Sequence, residues 1–218
     1  MQPLITFEGI EGCGKTTQMK MAREVLRNHH LPHLLTEEPG GSPLGRRIRQ
    51  ILLRRSPEEI CPEAEILLFC AARAQHVRET ILPALRRGEW VLCDRFSDAS
   101  FAYQGFGRGL DLDGIRQIDA FASPLRPALT FLFDLPVETG LQRALDRISR
   151  AGGEAPEDRF ENEALAFHRR IRKGYLTLAR ENPERFRIID ATRDIFTIHK
   201  DVSVQLAAFI KGQIHALP

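Results

Sequence analysis

The 218-residue sequence has no apolar run that approaches the roughly 18 residues of a membrane-spanning helix. Its first residues, MQPLITFEG, lack the basic segment and the long apolar segment of a secretory signal, so we expect no signal peptide. Neither C-x-x-C nor cysteine–histidine metal spacing occurs at its cysteines, which are Cys13, Cys61, Cys70 and Cys93. We therefore expect a cytoplasmic protein with reduced thiols and no membrane partner.

The sequence also lacks a large excess of either charge. Its 31 Lys and Arg residues against 29 Asp and Glu residues give a net charge of +2, too small for a general nucleic-acid or membrane surface. Local arginine clusters such as RRIR and HRRIRK are typical of solvated helix faces. No internal repeat and no Gly/Ser-rich or Pro-rich linker divides the chain, so we expect one domain over residues 1–218.

Short apolar segments alternate with longer amphipathic ones along the chain. This pattern is typical of an α/β fold in which helices connect parallel strands, so we predict a five-stranded parallel sheet with helices on both faces. The predicted strands are Leu4–Glu8, His33–Thr36, Trp90–Asp94, Leu129–Asp134 and Phe186–Asp190. The predicted helices are Lys15–His29, one from Pro43, one from Pro62 to Gly88 with a bend at Pro83, and then Leu112–Ala122, Val137–Arg150, Glu161–Arg180 and Ile195–Ile214.

The stretch GIEGCGKTT has the spacing G-x-x-x-x-G-K-S/T and lies between a predicted strand and a predicted helix. A loop can hold a triphosphate if its backbone N–H groups converge, which requires small residues where the chain folds tightly. The pattern therefore predicts a P-loop NTPase fold, although a glycine-rich turn with a surface lysine is the alternative. Lys15 is expected to reach the outer phosphates and the Thr16 hydroxyl to bind Mg²⁺. The predicted nucleotide-binding residues are Gly9, Ile10, Glu11, Gly12, Cys13, Gly14, Lys15, Thr16 and Thr17.

The segment VLCDRFSDASFAYQGFGRG completes a predicted strand with Asp94 and Arg95 and continues as a predicted loop. Carboxyl ends of parallel strands face the ligand crevice, so both side chains are expected near the phosphates. Asp94 is a candidate Mg²⁺ ligand, and Arg95 is a candidate clamp for an acceptor phosphate. The alternative is a local ion pair between them.

Two further segments are ambiguous when taken alone. In EAEILLFCAARAQHV, Phe69 and Arg73 are four residues apart and share a helix face, where a ring and a guanidinium can hold a planar base. The alternative places Phe69 in the core with Arg73 extending past it to solvent. The segment TEEPGGSPLGRRIR either borders an anionic substrate or is a turn followed by a solvated helix face.

Taken together, these segments resemble the thymidylate kinase family. The similar stretches, in order, are FEGIEGCGKTT, EPGGSPLGRRIR, LLFCAARAQHV, VLCDRFSDASFAYQGFGRG, DLP and DRFENEALAFHRRIRKGYLTLA, and they cover most of the chain from Leu4 to Ala179. The combination of DR with S-x-A-Y-Q-G is the most specific of them. The resemblance implies direct transfer of the ATP γ-phosphoryl group to dTMP with Mg²⁺, in a homodimer.

The resemblance also implies roles for individual residues in a dTMP pocket. Phe69 would stack on thymine, Arg73 would bond its edge, Ser100 and Gln104 would complete the base pocket, and Tyr103 would lie against the deoxyribose.

Further implied roles concern the phosphates, the metal and the sugar 3′-hydroxyl. Arg95 and Arg49 would hold the dTMP phosphate, Glu11 would lie near the 3′-hydroxyl, and Asp94 and Glu8 would lie close to the metal.

A lid over about residues 147–160 is the expected source of the catalytic arginine. The phosphate loop carries Glu11 and no arginine, and family members of that kind take the arginine from the lid. The candidates are Arg147, Arg150 and Arg159, and the segment RAGGEAPEDR, residues 150–159, is predicted to be a mobile flap.

Two departures from the family pattern stand out. Glu37 occupies a position where many bacterial relatives have arginine, next to Glu38 of the predicted substrate site, and the lid is less basic than in many relatives. Two other readings stay open at this point: a related kinase of another nucleotide, nucleoside or small metabolite, and a nucleotide-switch NTPase. The guanine-reading motif N-K-x-D, which the second would need, is absent.

Overall fold

A five-stranded parallel sheet organises the computed structural model, which describes residues 3–54, 56–150, 158–161 and 163–215. The strands are β1 (Leu4–Glu8), β2 (His33–Glu37), β3 (Trp90–Asp94), β4 (Leu129–Asp134) and β5 (Phe186–Asp190). The strand order is β2-β3-β1-β4-β5, and every pairing in the sheet is parallel. The predicted fold class is confirmed; β2 alone is one residue longer than predicted, because Glu37 still pairs with Asp94.

Helices connect the strands along the described chain. They are α1 (Lys15–Asn28), α2 (Pro43–Leu53), α3 (Pro62–His76), α4 (Leu82–Arg86), α5 (Ser97–Ser100), α6 (Leu112–Ala122), α7 (Val137–Arg150), α8 (Leu165–Glu181) and α9 (Ile195–His215). Two π-helical stretches, Val77–Ile81 and Phe101–Gly107, follow α3 and α5.

The predicted helix from Pro62 to Gly88 consists of three consecutive parts, which are α3, the first π-helical stretch and α4. Pro83 has no amide hydrogen and its ring crowds the preceding turn, so a regular helix cannot continue through it unchanged. The π-helical stretch ends at Ile81, directly before α4, and Pro83 is the second residue of α4.

Two further predictions of secondary structure were wrong. The segment after β3, predicted to be a loop, is helical from Ser97 to Gly107. Its glycines allow close packing, since a Cβ at Gly107 would lie 2.8 Å from Phe167 Cε2 of α8. The helix predicted from Glu161 begins at Leu165, because Ala164 has an extended backbone with φ −59° and ψ 146°.

Both faces of the sheet are covered by packed side chains, as the alternating burial of the β1 side chains in two clusters shows. Ile5 and Phe7 are buried in a cluster that includes side chains of α1 and α9. Leu4 belongs to a different cluster, with Val77 and Ile81. Successive side chains of a strand point to opposite faces, so these two clusters lie on opposite sides of the sheet. No helix of the described residues is long and apolar enough to cross a membrane.

Candidate active site

The loop between β1 and α1 has the backbone shape of a phosphate cradle. Gly9, Gly12 and Gly14 have φ values of 144°, 68° and 88°, in the region that favours glycine. A Cβ at Gly12 would lie 2.0 Å from the Gly140 carbonyl oxygen, so a larger residue would not fit there. The loop leads directly into the N-terminus of α1, whose free N–H groups and positive dipole end favour an anion.

A cavity of about 480 Å³ adjoins this loop. Glu11, Gly12, Lys15, Thr16 and Thr17 contribute to its lining. The Lys15 ammonium group lies 3.4 Å from the Ile10 carbonyl oxygen within the loop. The other predicted nucleotide-binding residues, Gly9, Ile10, Cys13 and Gly14, form the loop without lining the cavity.

Thr16 and Asp94 form an oxygen pair at the cavity wall. The Thr16 hydroxyl donates a hydrogen bond to Asp94 Oδ2, and both residues line the cavity. A hydroxyl and a carboxylate are hard oxygen ligands of the kind Mg²⁺ prefers. Within the described residues no group of three or more His, Cys, Asp and Glu side chains forms a metal cluster. An ion at this pair would therefore share its coordination with nucleotide phosphates and water, as magnesium in nucleotide sites usually does.

Glu8 does not lie at the cavity wall in this structure. Its carboxyl is fully buried and accepts hydrogen bonds from the Phe96 amide at 2.7 Å and the Tyr175 hydroxyl at 2.8 Å. Burial, assisted by the negative charge of Asp98, raises the pKa of Glu8 to about 8. Its predicted place beside the metal has no support from this geometry.

Arg95 is fixed at the cavity by contacts on its guanidinium. It donates hydrogen bonds to the Gly9 carbonyl at 3.0 Å, to the Tyr175 hydroxyl at 3.2 Å and to Glu11 Oε1 at 3.2 Å. Its guanidinium carbon also lies 4.8 Å from the centre of the Tyr103 ring. The partner of Arg95 is thus Glu11, and the alternative of a local ion pair with Asp94 does not describe the site.

Glu11 is held as a carboxylate. The Tyr103 hydroxyl donates a hydrogen bond to its Oε1, and His168 Nδ1 lies 3.3 Å from its Oε2 without the geometry of a hydrogen bond. Burial alone would raise the pKa of Glu11, but His168, Arg95 and Lys15 together outweigh burial and hold this pKa well below its usual range.

A buried ion-pair network lies beneath the predicted base pocket. Arg73 donates hydrogen bonds from Nε to Glu38 at 2.8 Å, from Nη1 to Asp119 at 2.6 Å and from Nη2 to the Ser100 hydroxyl at 2.8 Å. Its side chain is only 2% exposed, so the alternative in which Arg73 extends to solvent is wrong. Phe69 is partly buried, and its ring centre lies 6.3 Å from that of Phe160.

Further predicted substrate residues meet at the same cavity. Glu38, Phe69, Arg73, Ser100, Tyr103 and Gln104 all line it, together with Arg49. Arg49 donates a hydrogen bond to the Pro39 carbonyl at 2.8 Å and another to Glu37 at 3.3 Å. Glu37 therefore pairs with a predicted phosphate ligand and lines the cavity itself.

The three candidate lid arginines occupy different positions. Arg147 lines the cavity, with Nη2 lying 3.6 Å from Glu161 Oε1. Arg150 is exposed at the end of α7 and does not line it. Arg159 points to Glu65 and donates a hydrogen bond to the Leu52 carbonyl at 2.8 Å. Most of the predicted flap, residues 151–157, lies outside the described residues.

Several residues that the sequence did not single out complete the site. Phe160 and Glu161 line the cavity, and Glu65, His76 and Asp119 bind the side chains that line it. Burial raises the pKa of Glu161, and the charge of Glu11 adds to this effect. No spacing pattern marks these residues in the sequence, since each is a single polar or aromatic residue whose partners are distant along the chain.

Comparison with known proteins agrees with this geometry. The family model described as thymidylate kinase matches residues 7–202. A thymidylate kinase of Syntrophus aciditrophicus is 62% identical over 203 residues, which is 93% of each chain. A thymidylate kinase of Citrifermentans bemidjiense is 55% identical over 192 residues, covering 88% of this chain and 85% of the relative. The crystal structure of thymidylate kinase from Ehrlichia chaffeensis superposes with a TM-score of 0.73 at 31% identity, covering 94% of this chain and 98% of that one.

Proposed function

Because this chain belongs to the thymidylate kinase family, we propose that the cavity beside the phosphate loop holds ATP and dTMP together for direct phosphoryl transfer. The protein is an ATP-dependent phosphotransferase that uses Mg²⁺ and converts dTMP to dTDP. One observation supports the site assignment above all. The same cavity of about 480 Å³ is lined by Lys15 and Thr16 of the phosphate loop and by Phe69 and Arg73.

The phosphate loop and α1 form the donor site. Backbone N–H groups of the loop cradle the ATP phosphates, and Lys15 reaches the outer ones. Thr16 and Asp94 are the side chains that would hold Mg²⁺, which supplies positive charge to the phosphate oxygens during transfer. Glu8 belongs to the support beneath the site, since its carboxyl is bound to Phe96 and Tyr175.

The acceptor site takes dTMP by its base and its phosphate. Phe69 stacks on thymine while Arg73, Ser100 and Gln104 bond its edge. The support for this assignment is that these four side chains line one cavity with Tyr103 and Glu38.

Arg95 and Arg49 hold the dTMP phosphate, and Glu11 takes the sugar 3′-hydroxyl. Hydrogen bonds to Gly9 and Glu11 already orient the Arg95 guanidinium at the cavity. The orientation of Arg95 therefore does not depend on an ion pair with Asp94. Fixed guanidinium groups suit a phosphate because they can donate two parallel hydrogen bonds.

The transfer is an in-line displacement. An oxygen of the dTMP phosphate forms a bond to the γ-phosphorus of ATP as the bond to the ADP oxygen breaks, so no covalent enzyme intermediate forms. Charge spreads over the equatorial oxygens, and Lys15, Arg95 and Arg147 are the side chains positioned to stabilise it. Among the lid candidates Arg147 is favoured because it lines the cavity, whereas Arg159 is bound to Glu65.

The test is ADP formation with dTMP, dUMP, dCMP, dAMP and dGMP measured in parallel. We expect dTMP to be the best acceptor, with dUMP about 10- to 200-fold weaker because one methyl group is worth roughly 1–3 kcal/mol. Arg73→Ala should lower the ratio of dTMP to dCMP turnover, a ratio that does not depend on the fraction of folded enzyme. An unchanged ratio would contradict the assignment of Arg73 to the base.

We also propose a cytoplasmic homodimer. All four cysteines are free thiols, which fits a reducing compartment. Leu44, Ile51 and Leu67 are 43%, 56% and 55% exposed on the adjacent helices α2 and α3, and apolar exposure of this kind suits a subunit interface. Light scattering after size-exclusion chromatography should give twice the chain mass, and Leu67→Glu should shift the protein toward the monomer.

A further inference from the structure

Glu65 of α3 is fully buried and lies directly beside the cavity-lining Gln104. Its Oε1 accepts hydrogen bonds from Gln104 Nε2 at 2.8 Å and from Arg108 Nε at 3.3 Å. Its Oε2 accepts hydrogen bonds from Arg108 Nη2 at 3.2 Å and from Arg159 Nη2. Both carboxylate oxygens are therefore occupied as acceptors.

This arrangement decides which way the Gln104 amide points. Both oxygens of Glu65 already accept hydrogen bonds from guanidinium groups, so Glu65 faces Gln104 as an acceptor. Only the NH₂ side of the Gln104 amide can face it favourably, since the carbonyl side would bring two acceptors together. The amide oxygen is then directed away from Glu65, and no described residue donates a hydrogen bond to it.

We propose that Glu65 is a positioning residue for base selection, because it holds the Gln104 amide oxygen toward the base as a hydrogen-bond acceptor. This inference rests on the proposed assignment of the cavity to dTMP. Thymine and uracil carry an N–H at ring position 3, which an acceptor satisfies. Cytosine carries an unprotonated nitrogen there, so its lone pair would face the lone pairs of the amide oxygen. A buried polar mismatch of this kind costs far more than the loss of a methyl contact.

The decisive variant is Glu65→Gln. The new amide keeps two guanidinium hydrogen bonds when its oxygen takes the place of Oε2, where Arg108 Nη2 and Arg159 Nη2 donate. Its NH₂ group then takes the place of Oε1 and faces Gln104, with loss of the Arg108 Nε hydrogen bond. Gln104 then turns its own oxygen toward residue 65 and its NH₂ group toward the base, which suits cytosine. We expect the ratio of kcat/KM for dTMP to that for dCMP to fall at least about tenfold, mainly through a higher KM for dTMP and a lower KM for dCMP.

A matched control is Arg108→Met. It removes one guanidinium from Glu65 but leaves the hydrogen bond between Glu65 and Gln104 in place. We expect this variant to lose stability while keeping the ratio of dTMP to dCMP within about twofold of the wild type. If Glu65 had a merely structural role, both variants would be destabilised and neither would change the ratio of kcat/KM for dTMP to that for dCMP.

A second measurement covers the case in which Glu65→Gln does not fold. In ¹⁵N-labelled wild-type protein, the side-chain NH₂ signals of Gln104, identified by their absence in Gln104→Met, should be protected from exchange before dTMP is added. They should also shift little when dTMP binds, because they face Glu65. Rapid exchange that slows only with dTMP would overturn the inference.

The outcomes separate this inference from the proposed function. If the wild-type enzyme prefers dTMP to dCMP and Glu65→Gln keeps the same preference, the result contradicts the role of Glu65 and leaves the assignment of the dTMP site intact. A wild-type enzyme with no preference for dTMP would contradict the site assignment itself.

Discussion

Arg73 Nε donates a hydrogen bond to Glu38 Oε2 over 2.8 Å, and the two side chains are 2% and 5% exposed. The same guanidinium pairs with Asp119 at 2.6 Å, and Glu38 also contacts His76 Nδ1 at 3.0 Å. Two carboxylates therefore depend on one buried cation. The predicted base ligand Arg73 is thus also a structural centre of the site.

Removing Arg73 should destabilise the ligand-free protein strongly. Arg73→Met leaves Glu38 and Asp119 without their guanidinium, and breaking a buried pair from one side costs about 3–5 kcal/mol. Glu38→Gln should cost less, because Arg73 keeps Asp119. Urea unfolding followed by circular dichroism measures both values, with Arg116→Ala in the exposed Arg116–Asp113 pair as a control that should change little. Equal stability of Arg73→Met and the wild type would show that the network is not structurally important.

Arg147 and Arg150 provide a matched test of the lid. Both lie on α7, but only Arg147 lines the cavity. An arginine that stabilises a transferring phosphoryl group contributes roughly three to five orders of magnitude in rate. We therefore expect Arg147→Ala to reduce kcat by at least about a hundredfold, with unfolding unchanged because the side chain is 65% exposed. Arg150→Ala should retain most of the turnover under saturating substrates. A larger loss in Arg150→Ala would reverse the assignment.

The strands and the phosphate loop could be predicted from the sequence because each follows from local rules. Ile5 and Phe7 belong to a short apolar run in front of a glycine-rich loop, and the spacing of Gly9, Gly14 and Lys15 has few alternatives. The helix from Ser97 to Gly107 could not be predicted this way, because Gly105 and Gly107 favour turns and only the packing against α6 and α8 stabilises a helix there.

The supporting residues of the site could not be predicted from the sequence for a different reason. Glu65 binds Gln104, Arg108 and Arg159, which are 39, 43 and 94 residues away along the chain. A single glutamate on a helix carries no pattern that reveals such partners. The same holds for Asp119, whose contact with Arg73 depends on how α6 packs against α3.

The magnesium requirement should depend on Thr16 and not on the neighbouring Thr17. Thr16→Val keeps the shape of the side chain but removes the hydroxyl that contacts Asp94. We expect the Mg²⁺ concentration for half-maximal activity to rise at least about tenfold, which corresponds to the loss of roughly 1.4 kcal/mol. Thr17→Val is the control, because Thr17 lines the cavity without a hydrogen bond to Asp94. A parallel shift in both variants would point to a disturbed loop in place of a lost metal ligand.

The buried carboxyl of Glu8 should make stability fall with rising pH. Its pKa is about 8 in the folded protein against an ordinary value of 4.5, mainly because of burial. Between these values the folded state keeps a proton that the unfolded chain has lost, so the free energy of unfolding decreases as pH rises, by at most roughly 1.4 kcal/mol per pH unit for one group. The contribution of Glu8 is present below pH 4.5 and is lost as pH passes through 8.

Glu8→Gln cannot ionise, yet it keeps an acceptor for the Phe96 amide, so its stability relative to the wild type should increase from pH 5 to pH 8 in urea titrations of nucleotide-free protein. The exposed Glu138, whose pKa is lowered by Arg169, is ionised in both states over this range, and Glu138→Gln should therefore run parallel to the wild type. Parallel curves for Glu8→Gln would mean that Glu8 is already ionised in the folded protein at pH 5.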